Sequence, residues 1–212
     1  MASYPIRDQK NDHLLTPENA VLIIIDYQKV QVNSIASMDR QTMINNMIGL
    51  IKMAKLYKLP IILSTVNVKT GLNTETIPQL KRELEGIPSY DRTTINSWED
   101  KEFVDAVQST GRKKLIITAL WTEACLSFPT LDALKEGFEV FPVTDAVGGT
   151  SLTAHETALR RMEQAGAQLV STPQLFCELQ RDWNRHDTAS EFMDLFIATG
   201  GTAGIQFSYE KL

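Results

Sequence analysis

The chain has 212 residues, 43% of them hydrophobic and 22% charged, and a formal net charge of −5 at pH 7. That balance suits one globular domain with a full core. The acidic excess, without a Lys/Arg stripe, excludes nucleic-acid binding as the leading function, and no apolar run nears the roughly 20 residues of a membrane span.

The opening segment, MASYPIRDQKNDHLL, lacks the apolar stretch of a secretory leader. The two cysteines, Cys125 and Cys177, lie far apart and make no disulfide framework, so the expected compartment is the cytoplasm. Residues 20–26, AVLIIID, form an apolar run ending in an acid, as expected of a strand buried on both faces. Asp39 to Tyr57 carries Met43, Met47, Leu50, Ile51 and Ala54 near helical spacing. A second strand is predicted over 59–66, LPIILSTV, with its proline confined to the start. The stretch 89–98, SYDRTTINSW, reads as a short strand carrying Arg92 and its exit loop.

Two further strands are predicted at 113–120 (KKLIITAL) and 138–146 (FEVFPVTDA). Between them a helix fits 123–137, stopped by Gly137. A helix over 151–166, closed by Gly166, precedes a sixth strand, AQLVST, at 167–172. Alternating strand and helix imply an α/β fold, a parallel sheet with helices on both faces and chemistry at the carboxyl ends of the strands. From about Pro173 the chain is helical and then glycine-bearing. This tail is longer than its own sheet needs, which marks residues 173–212 as an extension that reaches a neighbouring subunit.

Three residues at strand ends carry the functional reading: Asp26, Arg92 and Cys125. Each has a plain alternative. Asp26 could be a helix cap or a structurally paired acid, Arg92 a surface ion pair, and Cys125 a small buried hydrophobe. Together they form a nucleophilic site. Thr122 is placed to cap the helix that follows, putting Cys125 in its first turn, where the dipole and the Arg92 cation favour thiolate over thiol. Asp26 would take the thiol proton and later deliver it to a leaving amine. Backbone N–H groups of the turn would stabilise an oxyanion.

Three segments, VLIIIDYQ, R-TTINSW and ALWTEACLSFPTLDALKEGFEVFPVTDA, resemble in this order the isochorismatase-like cysteine hydrolase superfamily, which includes nicotinamidases and N-carbamoylsarcosine amidases. The likeness spans roughly residues 15 to 172. With CELQRDW at 177–183, it looks nearest to a ring-forming bacterial branch whose substrates are mostly unassigned.

The resemblance implies a Rossmann-like three-layer α/β/α sandwich with a mostly parallel six-stranded sheet. It assigns Asp26 as base, Cys125 as nucleophile and Arg92 as cation. It also implies a cis peptide at Leu120–Trp121, an oxyanion hole of the Trp121 and Cys125 backbone N–H groups, and a homo-oligomer, tetramer or octamer. Arg92 stands where the family carries lysine. An arginine supplies charge but relays no proton. Trp121 stands where many relatives carry a small residue; its indole either narrows the pocket or packs against a neighbouring subunit.

Tyr27, Gln28, Asn96, Trp98 and Trp121 are the candidate substrate contacts. His155 falls on an apolar stripe with Leu152, Leu159 and Met162 and reads as a hydrogen-bonded core histidine. Cys177 reads as structural.

Nicotinamidases of the superfamily place an Asp-x-His metal pair after the second strand, where this chain has STVNVKTGLN. No metal or other cofactor is therefore expected. The first strand exits into DYQKVQVN, with no glycine to cradle a phosphate. The leading reading is a metal-independent cysteine hydrolase of a small amide, carbamoyl or related C–N bond. The alternatives are an inactive scaffold or binding protein on the same fold, and a thiol redox sensor.

Overall fold

The computed structural model describes residues 7–199 and 201–210. Strand β1 (Ala20–Ile25) is buried at every position and lies at the centre of the sheet. It is followed by α1 (Lys29–Asn33), α2 (Arg40–Leu56), β2 (Ile61–Val66), α3 (Pro78–Glu83) and β3 (Ser89–Arg92). Then come α4 (Lys101–Ser109), β4 (Lys114–Ala119), α5 (Ser127–Lys135), β5 (Glu139–Pro142) and α6 (Leu152–Gln164). The strand order is β3-β2-β1-β4-β5 and every pairing is parallel. The chain winds outward from β1 in one direction and then from β4 in the other, so the topological switch point lies between β1 and β4.

Two apolar layers cover the sheet. Met43, Met47 and Leu50 of α2 and Leu80 of α3 pack on one face with Leu22 and Ile24. Phe103 and Val107 of α4, Ala133 of α5 and Met162 of α6 pack on the other with Ile23, Ile25 and Ile117. Local chemistry sets the helix starts: the Asp39 carboxylate accepts the Thr42 N–H at 2.8 Å, and Ser151 Oγ accepts that of Ala154 at 3.1 Å.

Among the described residues the sheet has five strands, not the six expected. Residues 168–170 do lie alongside β5: Gln168 N donates to Val140 O at 2.9 Å, and Val170 N to Pro142 O at 3.0 Å. The rung between these two needs an N–H at position 142 for Gln168 O, and proline has none; the next, Thr144 N to Val170 O, forms at 2.8 Å, so the ladder shrinks to a single bridge between Val143 and Val170.

The tail is helical, as α7 (Thr172–Gln180), α8 (Ala189–Thr199) and α9 (Gly201–Glu210). Helices α7 and α8 fold back on α2 of their own chain. Gly49 permits this approach, since a Cβ there would lie 2.8 Å from Thr199 Cγ2 and 3.3 Å from Phe176 Cζ. Phe176, Phe192 and Phe196 are buried in the α2-side core, with the Phe192 and Phe196 rings stacked at 5.5 Å. Among the described residues no helix is long and apolar enough to cross a membrane, and both cysteines are free. If α8 is integral to this core, Phe192→Ala lowers stability by about 3–5 kcal/mol, read from the urea midpoint.

Candidate active site

Asp26 follows the last residue of β1 and Cys125 lies six residues beyond the end of β4, so the two flank the switch point. Arg92 ends the edge strand β3 and reaches past β2 to join them. The Asp26 backbone leaves the ladder at φ 60°, a left-handed position that aspartate tolerates better than most side chains, and one of the places where such conformations accompany function.

Arg92 grips Asp26 with both ends of its fork: Nη1 to Oδ1 at 2.8 Å and Nη2 to Oδ2 at 2.7 Å. Both side chains are wholly buried. Arg92 Nη1 also donates to Ser64 Oγ at 3.0 Å and to Thr65 O at 3.1 Å, and Nη2 to Ile95 O at 3.2 Å. The Ser64 hydroxyl in turn donates to Tyr90 O at 2.8 Å. Burial would lower the Arg92 pKa, but the hydrogen bonds and charge of Asp26 raise it overall; the guanidinium is a permanent cation.

The Leu120–Trp121 peptide is cis. Residues Thr122–Leu126 then form a π-helical turn that runs into α5. Cys125 is buried, and its thiol lies within the electrostatic reach of the Asp26 carboxylate, the Arg92 guanidinium and the Trp121 backbone N–H. Its pKa is pushed well above the ordinary thiol value, first by burial and then by the charge and hydrogen bond of Asp26, with Arg92 and the Trp121 N–H opposing. The expected shift toward thiolate is therefore opposed. The helix-terminus and cation effects are present, but desolvation and the adjacent carboxylate outweigh them.

The turn is anchored by a neighbouring loop and helix. Thr122 N donates to Gly148 O at 3.0 Å, and Glu123 Oε1 accepts Thr150 N at 3.0 Å and Thr150 Oγ1 at 2.6 Å. Thr122 does not cap the helix as expected, because it lies inside the turn and its hydroxyl pairs with His155 Nδ1 at 2.8 Å. His155 is half-buried, and burial holds its pKa below the usual imidazole value. Leu152 is exposed and lies outside the buried stripe.

Of the candidate substrate contacts, four have their polar atoms engaged inside the protein. Tyr27 packs on the α2 side of the sheet and donates to Ala146 O at 2.7 Å. Gln28 spans the start of the β2 exit loop, accepting from Val66 N and donating to Val66 O and Thr74 O. Asn96 donates to Asp132 at 2.7 Å and accepts the Trp98 N–H, while the Trp98 indole donates to Glu136 at 2.8 Å. Trp121 is half-buried and its indole donates to Ser34 Oγ at 2.7 Å, toward the end of α1.

Ser64 was not among the candidates. The signal was present: a serine inside an apolar strand must find a partner, and here that partner is the arginine. A groove of about 1190 Å³ between α3 and the β2–β3 edge, lined by Thr65, Thr76, Ile77, Leu84 and Asp91, contains none of Asp26, Arg92 and Cys125. Among the described residues no group of three or more His, Cys, Asp or Glu side chains is placed to hold a metal ion.

The pair's energetics are testable. Arg92→Met leaves a buried carboxylate uncompensated and costs about 3–5 kcal/mol by urea unfolding. The double variant Asp26→Asn, Arg92→Met recovers part of that loss, since it leaves no charge unpaired.

Residues 20–174 match the Isochorismatase domain family. The probable hydrolase YcaC of Escherichia coli K12 is 38% identical over 179 residues, covering 84% of this chain and 82% of that protein. Two solved structures superpose with a TM-score of 0.86. One is YcaC from Pseudomonas aeruginosa with hexane-2,5-diol and covalent acrylamide, 32% identical and covering 98% of each chain. The other is the E. coli YcaC gene product, described as an octameric hydrolase of unknown specificity, 35% identical and covering 95% of this chain and 98% of that one. With the match extending across the whole sheet and both sides of the switch point, the chain belongs to the isochorismatase domain family.

Proposed function

We propose that this protein is a metal-independent cysteine hydrolase that cleaves a small amide, carbamoyl or related C–N bond through a covalent Cys125 intermediate. The observation that carries the reading is the buried Cys125 thiol set beside a carboxylate that a buried arginine holds in a two-bond fork.

Charge accounting dictates the order of events. At rest the site holds one anion, one cation and a neutral thiol. Losing the thiol proton to solvent would leave a net negative charge in a buried site, which is the origin of the raised pKa. Passing the proton to Asp26 keeps the net charge at zero. Proton transfer therefore accompanies attack: sulfur bonds to the carbonyl carbon as its proton moves to the Asp26 carboxylate. The backbone N–H groups of Trp121 and Cys125 receive the oxyanion. As the intermediate collapses the C–N bond breaks, and Asp26 returns the proton to the leaving nitrogen. Water then attacks the thioester or S-carbamoyl group, giving its proton to Asp26; the C–S bond breaks and the proton goes back to sulfur. Arg92 stays charged throughout, so lysine-to-arginine replacement preserves its part.

Acrylamide, a small uncharged amide covalently held in the P. aeruginosa relative, is a suitable probe. Cys125→Ala abolishes turnover of amide and carbamoyl substrates and leaves the fold intact by circular dichroism; turnover persisting in that variant contradicts the reading. Asp26→Asn, without a base, lowers kcat by about 10²-fold or more and slows acrylamide addition at Cys125, measured by peptide mass.

We also infer a homo-oligomer, supported by the octameric E. coli relative and by the exposed Trp183, Ile205 and Tyr209 on and beside the terminal helices. Ile205→Asp with Tyr209→Asp, at two exposed positions, reduces the native mass without lowering the melting temperature if these helices form the contact. An unchanged mass removes the terminal helices from the interface.

A further inference from the structure

The reading of Cys125 as a nucleophile leaves open which amides reach it, and the hydrogen bonds of Arg92 narrow that choice. A cation at the heart of an active site is ordinarily the group that holds a carboxylate-bearing substrate, through two parallel N–H bonds. Here that capacity is consumed. The four terminal N–H groups of Arg92 meet five acceptors: both oxygens of Asp26, Ser64 Oγ, Thr65 O and Ile95 O. Its Nε–H is buried and has no acceptor among the described residues. One N–H suits one neutral carbonyl oxygen; it cannot form the fork that a carboxylate takes.

The surrounding charges point the same way. Asp26 offsets Arg92 with both of its oxygens. Lys29 at the start of α1 and Lys69 after β2 line the groove beside α3. A carboxylate entering this site would be desolvated beside the Asp26 anion, with the Arg92 fork already occupied.

Resting on the hydrolase reading above, we propose that the site selects an uncharged amide or carbamoyl group and rejects substrates with a carboxylate next to the scissile bond. The Asp26–Arg92 pair enforces this selection as well as serving the proton transfer.

Iodoacetamide and iodoacetate are a matched pair of thiol reagents that differ in charge. Their alkylation rates at Cys125 are measured by peptide mass in the native protein, with exposed Cys177 as the internal reference. The ratio of iodoacetamide to iodoacetate rates is expected to be at least about tenfold higher at Cys125 than at Cys177, against the value of roughly 10 that one 1.4 kcal/mol difference represents. In Asp26→Asn, where Arg92 is no longer offset, that excess falls severalfold. If this variant does not fold, the wild-type comparison alone decides.

Equal ratios at the two cysteines, or faster iodoacetate at Cys125, overturn the proposal. So does failure of both reagents to reach Cys125 while Cys177 is consumed, because a site closed to iodoacetamide takes no small amide. The two readings fail separately. A high ratio with no turnover of any neutral amide keeps the charge selection and removes the hydrolase. Equal turnover of an amide and its carboxylated counterpart removes the selection and keeps the hydrolase.

Discussion

The buried ion pair between Asp26 and Arg92 is the constraint on which the site depends. Two charges wholly removed from water are tolerable only when their geometry is good and their remaining hydrogen-bonding groups are met. Ser64, Thr65 and Ile95 meet most of those of Arg92. The pair thus specifies the positions of three segments: the end of β1, the exit of β3 and the turn after β4. It also specifies the chemistry. A carboxylate fixed by an arginine is a poor partner for a thiolate, so burial and Asp26 together favour the thiol form of Cys125.

The fold makes this pair possible. A parallel doubly wound sheet ends its strands on one side, and at the switch point the flanking loops diverge, leaving room for groups from both halves. Because β1 and β4 are neighbours in register, Ile25 lies beside Ala119, and the residues that follow these strands are brought together without long loops. The cysteine turn is then tied to the Gly148–Thr150 loop and to His155 of α6, which anchors the segment that carries Cys125.

Much of this was legible in the sequence, for identifiable reasons. Apolar runs ending in polar residues located β1, β2 and β4, and the periodicity at Met43, Met47 and Leu50 located α2. The order of Asp26, Arg92 and Cys125 along the chain, with the surrounding motifs, pointed to the site. What was not legible was the outcome of competing local effects. Pro142 reads as an acceptable residue of a strand, yet it removes the one donor needed to extend the ladder to a sixth. Thr122 has the side chain of a helix cap, but the π turn draws it inward to His155. Asn96 and Trp98 have the chemistry of substrate contacts, and only their pairing with Asp132 and Glu136 shows that it is spent on packing α5. The state of Cys125 was the hardest to foresee. Cation and helix terminus are visible along the sequence, whereas the burial and the influence of Asp26 that oppose them exist only in three dimensions.

The account stands or falls on the resting protonation of Cys125. The direct measurement is the thiolate ultraviolet absorbance of the native protein minus that of Cys125→Ala, followed as pH is raised from acid through neutrality. A protonated nucleophile gives no step below the ordinary thiol value of about 8.5, and the difference grows only on the alkaline side. A clear step near or below neutral pH would mean that the thiolate forms without substrate, and would contradict proton transfer to Asp26 as the event that accompanies attack.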